Sequence, residues 1–470
     1  MALDEKLVAE VDAYVDRVWP DVLDDIRELV SHPGVADYGQ ASEGNPYGEG
    51  AHESLRCALG IAERLGLAPT DCDGHIGFAD LPGASQDYLA TIAHVDVVPA
   101  GTGWSQDPFT MTIRDGYLMG RGVLDDKGPA VLSLYAAHFF VERGERLPYT
   151  LRAILGSDEE MGMRDAKWYL AHYPEPLFLF TPDAEFPVCS GEKGHYSAFF
   201  TSPVMHDGAV VTFDAGTATN AIPGFAQVTV RADADRLPKA EGIDVERLEG
   251  GLVRLTAHGK GGHASLPAGT RNAIGMLVSY LRDSGVLTAQ ERPFFDLLAR
   301  IHGSTDGSTL GIADADEAFG APTCVGGVIM TEGGRISQSI DTRFTTALTI
   351  PEIERRLGAL ASEYGATFEP GSGAVPYLTD PSSAPVQALI DTYNEVTGRD
   401  AKPFTIGGGT YARNFAHAVS FGPEDPQLVN PAWVGTMHGP DEGVSEALLR
   451  QSLKLYILGI DRLMHLSYAW

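Results

Sequence analysis

The chain of 470 residues is short of cysteine, of positive charge and of long apolar runs. Its four cysteines, Cys57, Cys72, Cys189 and Cys324, are widely spread with no CxxC pair. That spacing argues against a disulfide frame or a thiolate metal site and leaves reduced thiols used for packing. Lys and Arg number 34 against 64 Asp and Glu, a formal net charge of -30. Such a surplus disfavours attraction to nucleic acid or to an anionic membrane. No run of about 18 apolar residues occurs, and no basic start leads into an apolar core, so neither a membrane span nor a secretory signal is expected. The expectation is a soluble, cytoplasmic protein with a solvated acidic surface.

Apolar residues make up 44% of the chain and glycines number 54, as in a globular chain long enough for more than one core; two domains are the starting expectation. Residues 5–30 and the stretch HESLRCALGIAERLGL carry apolar residues at helical spacing and are expected as helices of an α/β layer. YLATIAHVD, TLRAILGSDEE and PLFLFTPDAE are short apolar runs that stop abruptly on polar residues, as buried strands do. Between and after them PAVLSLYAAHFFVERGE and RDAKWYLAHY read as helices. Alternation of this kind predicts a largely parallel sheet, and ligands gather at the carboxyl ends of such strands.

Each predicted strand ends on acids or a histidine. The first stops at His94-Val95-Asp96, and residues two apart on a strand share a face. The next two end in Asp158-Glu159-Glu160 and Asp183-Ala184-Glu185, while Asp125-Asp126 in GRGVLDDKGPAVL follows the short run YLMGRG. Each signal has an ordinary reading: HxD occurs by chance, paired glutamates sit on solvated faces, and Asp is a favoured helix N-cap. Together, four carboxylate clusters at one sheet edge would repel one another unless cations neutralise them. Histidine and carboxylate donors without thiolates suit zinc or manganese rather than copper(I) or an iron-sulfur cluster.

From residue 191 to about 382 the pattern changes. AVVTFDA, GFAQVTVRAD, GLVRLTAHG, CVGGVIMTEG and ISQSIDTRFTT read as strands with fewer helices between them, an α+β lid. SSAPVQALIDTYNEVTG and SEALLRQSLKLYILGIDRLMHL then return to helical patterning. The predicted architecture is an α/β catalytic domain of residues 1–190 and 383–470, with a mostly parallel sheet flanked by helices, interrupted by an inserted lid of residues 191–382.

In this order, AHVDVVPAGTGWSQDPF, GRGVLDDKGP, GSDEEMG, TPDAEFPV, GEKG, GKGGHASLPAGTRNA, GGGTYARNF and TMHGPDEGV span nearly the whole chain. The set resembles the co-catalytic zinc peptidases related to aminoacylase and carboxypeptidase G, and within them the bacterial dipeptidase V branch of Xaa-His, carnosinase-like dipeptidases. The resemblance implies that His94 binds one metal, oriented by the Asp96 carboxylate, and that Asp125 bridges both metals with a cis peptide after it. Asp126 is left to support the turn or cap the helix. It implies Glu159 as general base, Glu160 as a metal ligand, Asp183 with His94 on the first metal, and His438 with Glu160 on the second. Three ligand carboxylates and a hydroxide then balance two dications, zinc ahead of manganese. The implied reaction is hydrolysis by a water activated between two metals about 3.5–4 Å apart. Glu159 takes the water's proton, and His263 of GGHASLP stabilises the oxyanion.

The resemblance further implies that Arg343 in DTRFT and Asn220 in TATNAIPG grip the substrate carboxylate or the oxyanion. The run Gly407-Gly408-Gly409 with Thr410 would let backbone amides approach the same carboxylate, although glycine runs also simply make turns. These residues favour a short substrate with a free C-terminus, hence a dipeptide. The enlarged lid of dipeptidase V relatives replaces a dimer partner, which favours a monomer over a dimer. Two alternatives stay open: an N-acyl amino acid amidase using the same metals, and a catalytically inactive binding protein that kept the fold.

Overall fold

A computed structural model describes residues 3–468. The residues gather into two compact units, one comprising residues up to Gly191, Leu378–Phe404 and residues from Gly409 onward, the other Glu192–Tyr377 with Thr405–Gly408. The return to the first unit thus falls at residue 378 rather than 383. Thr405–Gly408, which sequence patterning leaves with the returning chain, belongs to the second unit.

The first unit is built on a mixed sheet in the order Ala68–Asp71, Ile76–Leu81, Tyr149–Gly156, Ser85–His94, Phe178–Thr181, Ala418–Ser420 and Cys189–Glu192. The three pairings among Tyr149–Gly156, Ser85–His94, Phe178–Thr181 and Ala418–Ser420 are parallel. The pairings on either side of this group are antiparallel, so the sheet is parallel at its centre and antiparallel towards its flanks. Tyr88 to His94 are seven consecutive buried residues, the signature of a central strand covered on both faces.

The covering helices follow from their apolar stripes. Glu5–Val30 buries Leu7, Val11, Val15, Val18, Val22 and Ile26 at spacings of three and four, and Asp4 caps it by accepting the N–H of Lys6. Lys127–Arg143 is apolar nearly all round and buries thirteen of its residues, as a helix packed on several sides must. Glu446–Met464 closes the same core. The run YLMGRG begins with a strand, Tyr117–Met119, but that strand lies in a separate three-stranded sheet with Thr112–Arg114 and Gly443–Ser445. Asp125 therefore reaches the site from a loop outside the main sheet.

The second unit has its own core and two larger antiparallel sheets beside the short ladder of Ala221–Ile222 with Gly262–His263. One orders Thr323–Val325, Arg335–Phe344, Gly194–Thr201 and Thr367–Ala374, with Ile329–Glu332 beside Arg335–Phe344; the other orders Val210–Asp214, Phe225–Arg231, Leu252–His258 and Ile243–Arg247. Helices Ala273–Ser284, Arg292–Ile301 and Ile350–Glu363 complete this α+β unit.

Candidate metal centre

His94 is the last residue of its strand, and its side chain is fully buried. Nδ1 lies 3.0 Å from the carbonyl oxygen of Asp96, an acceptor only, so Nδ1 carries a proton. In the neutral ring Nε2 then presents a lone pair to Oδ1 of Asp125 at 3.0 Å and Oδ2 of Asp183 at 3.8 Å. Neither approach has the alignment of a hydrogen bond, and Nε2 is a buried atom without a partner. A buried lone pair facing two carboxylates is unfavourable unless a cation lies among them.

The loops after the strands supply the rest. Asp183 lies two residues past Phe178–Thr181, and Glu159 and Glu160 occupy the turn after Tyr149–Gly156. Asp125 turns one oxygen to each histidine: besides the His94 approach, its Oδ2 is 2.9 Å from Nε2 of His438. His438 Nε2 is also 3.2 Å from Oε2 of Glu160, whose Oε1 is buried without a partner. The donor atoms form two sets, His94 with Glu159 and Asp183, and Asp125 with Glu160 and His438, each with its atoms within 4.8 Å of one another. The Asp125-Asp126 peptide is cis, and His438 adopts φ +61°. Nitrogen and oxygen donors alone, with orphaned buried atoms in both sets, fit hard or borderline divalent cations.

Electrostatics point the same way. Burial first, then neighbouring acids, push Glu159, Asp183 and Asp126 well above the usual carboxylate range. Burial opposes a charged His94, yet Asp125, Asp96 and Asp183 outweigh it and hold the imidazole well above its ordinary value. Asp125 moves the other way: burial is overcome by His438 and His94, which hold it below the usual range. Acids that cannot all ionise together and histidines that favour the charged form are a setting that stabilises a bound cation.

Two acids make contacts beyond those expected from the sequence. The Asp96 side chain lies 3.5 Å from His94 Nδ1, while its main-chain carbonyl makes the 3.0 Å bond. The carboxylate instead accepts the backbone N–H groups of Glu159 and Glu160 at 3.3 and 3.2 Å. Asp96 thereby fixes the glutamate turn as well as the imidazole, which became possible because it stands beyond the strand end, outside the pleat. Asp126 occupies the N-cap position of Lys127–Arg143, but its side chain makes no capping bond; its Oδ2 accepts the N–H of His94 at 3.1 Å.

Of the residues assigned to substrate binding, those of the second unit form their own cluster. Ala221 pairs with His263 in a two-stranded ladder, and the Asn220 carbonyl accepts the N–H of Ala264 at 2.8 Å, so Asn220 and His263 are neighbours. Ser265 donates its N–H to Nδ1 of His263 at 3.2 Å, which puts the ring proton on Nε2. Arg343 is already engaged: Nε and Nη2 donate to Asp341 at 2.8 and 3.3 Å, and Nη1 donates to the Gly407 carbonyl at 3.0 Å. A bidentate grip on substrate through its Nε edge therefore competes with Asp341. Gly408 lies in the second unit, whereas Gly409 and Thr410 lie in the first. The Thr410 hydroxyl turns inward, 3.1 Å from that of Ser420, and accepts the N–H of Ala412 at 3.2 Å. A cavity of about 600 Å³ in the second unit is lined by Arg271, Tyr280 and His302 among others and by none of these predicted residues.

Sequence reasoning passed over Arg121 and Glu442, a fully buried pair, although both lie inside quoted motifs. It also passed over Asp165, whose Oδ2 accepts the N–H groups of Ser157 and Asp158 at 2.8 and 3.1 Å and the hydroxyl of Tyr411. The only available signal was their company: Arg121 four residues before Asp125, Glu442 four after His438.

A buried carboxylate shared between two histidine-bearing sets, at the carboxyl ends of a parallel sheet centre, is the site of a metal-dependent hydrolase. The chain belongs to peptidase family M20/M25/M40, whose model matches residues 90–461. A Beta-Ala-Xaa dipeptidase of Lactobacillus delbrueckii subsp. lactis is 30% identical over 465 residues, covering 94% of this chain and 96% of the relative. The di-peptidase Dug1p of Saccharomyces cerevisiae shares the fold with a TM-score of 0.59 at 12% identity, covering 98% of this chain and 99% of that one. Human carnosine dipeptidase 1 does so with a TM-score of 0.57 at 14% identity, again covering 98% and 99%. No helix among the described residues is long and apolar enough to cross a membrane.

Proposed function

We propose that the protein is a dinuclear metallo-dipeptidase that hydrolyses the peptide bond of short peptides with a free C-terminus. The observation that carries this reading is Asp125, one carboxylate with an oxygen turned to each of two histidines. The similarity to a Beta-Ala-Xaa dipeptidase over nearly the whole chain supports the substrate class. We assign His94, Asp183 and Asp125 to one divalent ion and His438, Glu160 and Asp125 to the other, with zinc the preferred metal and manganese the alternative. When bound, such a pair lowers the pKa of a shared water and polarises the scissile carbonyl.

The chain's own groups do the remainder. Glu159, beside His94 and Asp183, accepts the attacking water's proton and returns it to the leaving amine, so that water adds across the C–N bond with hydroxyl on the acyl carbon. Asp96 keeps Glu159 and Glu160 turned apart by holding both their amides. His263, with its proton on Nε2, donates to the oxyanion, aided by Asn220; Arg343, Gly408, Gly409 and Thr410 set the end of the substrate that carries the carboxylate. The first unit is the metal-binding catalytic domain, and the second is its lid. The protein acts as a monomer in the cytoplasm, without a nucleic-acid or membrane partner.

The test is hydrolysis of a dipeptide panel, β-alanyl members included, by metal-stripped protein with and without added zinc or manganese, in wild type and Glu159→Ala. Metal restores cleavage in wild type, while the variant binds metal and stays inactive. Cleavage of N-acetyl or N-succinyl amino acids in preference to every dipeptide would shift the reading to an amidase. A protein that holds metal and cuts neither class would be a binding protein.

A further inference from the structure

Arg121 and Glu442 are 1% and 0% exposed at the side chain and 2.5 Å apart. A buried ion pair is a poor source of stability, because desolvation offsets the attraction, so its meaning lies in what it holds. Glu442 Oε1 accepts three backbone N–H groups, from Gly122 at 3.0 Å, Leu124 at 3.1 Å and Asp125 at 3.3 Å. The Glu442 carbonyl accepts a fourth, from Gly120 at 3.0 Å. Arg121 spans in the opposite direction, with Nη1 on Glu442 and Nη2 donating to the carbonyl of His438 at 3.2 Å. Two loops more than 300 residues apart in sequence, one carrying Asp125 and the other His438, are thus tied together below their metal-facing side chains.

The backbone around these contacts needs such a tie. His438 sits at φ +61°, and a residue with a Cβ does not hold the left-handed region unaided. The Trp104 ring lies 5.1 Å from the Arg121 guanidinium, and Asp441 accepts both the N–H and the hydroxyl of Ser105, at 2.8 and 2.9 Å. The Ser105 bonds fasten the His438 loop, and the Trp104 ring packs against Arg121.

We infer that Arg121 and Glu442 are positioning residues that set the spacing of Asp125 and His438, so that the second metal position is formed before metal arrives. The inference rests on the two-metal reading above. Neither side chain touches metal or substrate. The planar guanidinium matters because it meets Glu442 and the His438 carbonyl at once, which a lysine ammonium in the same place cannot do with the same geometry.

The experiment uses the full chain with Arg121→Lys, which keeps the charge against Glu442. In the metal-free protein, amide exchange over residues 434–443 quickens at least tenfold, and helix Lys127–Arg143 keeps its protection. In a zinc titration the first site keeps its affinity and the second weakens at least tenfold, so kcat returns as zinc is raised. Glu442→Gln provides the second variant: its amide oxygen still accepts from Gly122, Leu124 and Asp125, so exchange there stays slow while 434–443 quickens. Unchanged exchange over 434–443 in both variants overturns the inference. So does a loss that spreads through helix Lys127–Arg143, or equal weakening of both zinc sites. Should wild type itself take up one zinc only, the two-metal reading falls, and the exchange comparison still judges the clamp.

Discussion

Glu160 in the first unit, its side chain 8% exposed, and the buried Glu291 in the second are used in opposite ways. Glu291 is saturated by its surroundings: Oε1 accepts the N–H of Val210 at 2.8 Å, and Oε2 accepts the N–H and hydroxyl of Thr288 at 2.9 and 2.8 Å. Glu160 has Oε1 buried with no partner and Oε2 turned to a histidine. The first unit repeats that pattern at His94 and Asp126, which also keep unpartnered buried atoms. Folding selects for satisfied polar groups, so an unsatisfied cluster marks the place where something other than the fold is being served. The same residue type is held as scaffold at Glu291 and left open to a cation at Glu160, and its hydrogen bonds distinguish the two.

The largest expected effect breaks the comparison by exchanging charge for amide at each glutamate. Glu160→Gln removes a metal donor, so dipeptide turnover falls at least about a hundredfold, while the metal-free protein unfolds at the same denaturant concentration or a higher one. Glu291→Gln keeps turnover and loses about 1–3 kcal/mol of stability, because an amide nitrogen replaces an acceptor oxygen. Urea unfolding and initial rates on both variants decide the matter; equal stability losses would erase the distinction. Glu159→Gln sharpens it further: turnover falls about 10²–10⁴-fold while zinc content, read by elemental analysis, stays at that of wild type.

Removing metal comes next. A ligand present at about a hundred times its Kd adds about 2.7 kcal/mol to the form that binds it. Chelation is therefore expected to lower the unfolding free energy of the first unit by that order, with exchange protection of strand Gly194–Thr201 in the second unit unaltered. Equal loss of protection in both units would show that the metal centre stabilises the chain as a whole.

Much of this division was legible in the sequence, because it was written locally. Helix Glu5–Val30 matches its apolar period, strand Ser85–His94 matches its apolar run, and the acids follow the strands they were read to follow. The departures have one physical origin, contacts that residue spacing alone does not specify. Asp126 reads as a cap from its neighbours, but the His94 amide, 32 positions away, takes its carboxylate. Glu442 reads as one acid among 64 until its bonds to Gly122, Leu124 and Asp125 are seen. Arg343 reads as open to an anion, although strand spacing already puts Asp341 on the same face, where it takes the guanidinium. Periodicity reports burial; it does not report which buried groups meet.

The smallest effect concerns protons rather than metal. Burial pushes His302, in the second unit, down to about 4, and Gln338 explains which nitrogen keeps the proton. The Gln338 amide nitrogen donates to the carbonyls of Val328 and Ser339 at 3.0 and 2.9 Å, leaving its oxygen to face His302 Nε2 at 3.3 Å. A histidine whose folded pKa lies below its unfolded value of about 6.5 contributes stability that is complete above 6.5 and is lost as pH falls through 4. The full difference is on the order of 3 kcal/mol, of which pH 5 removes about two thirds. With zinc held in excess to keep the first unit's histidines loaded, wild type loses that stability between pH 7 and pH 5, and His302→Gln, which keeps a donor for Gln338, loses less. A variant that follows the wild-type curve would show that the acid sensitivity does not come from His302.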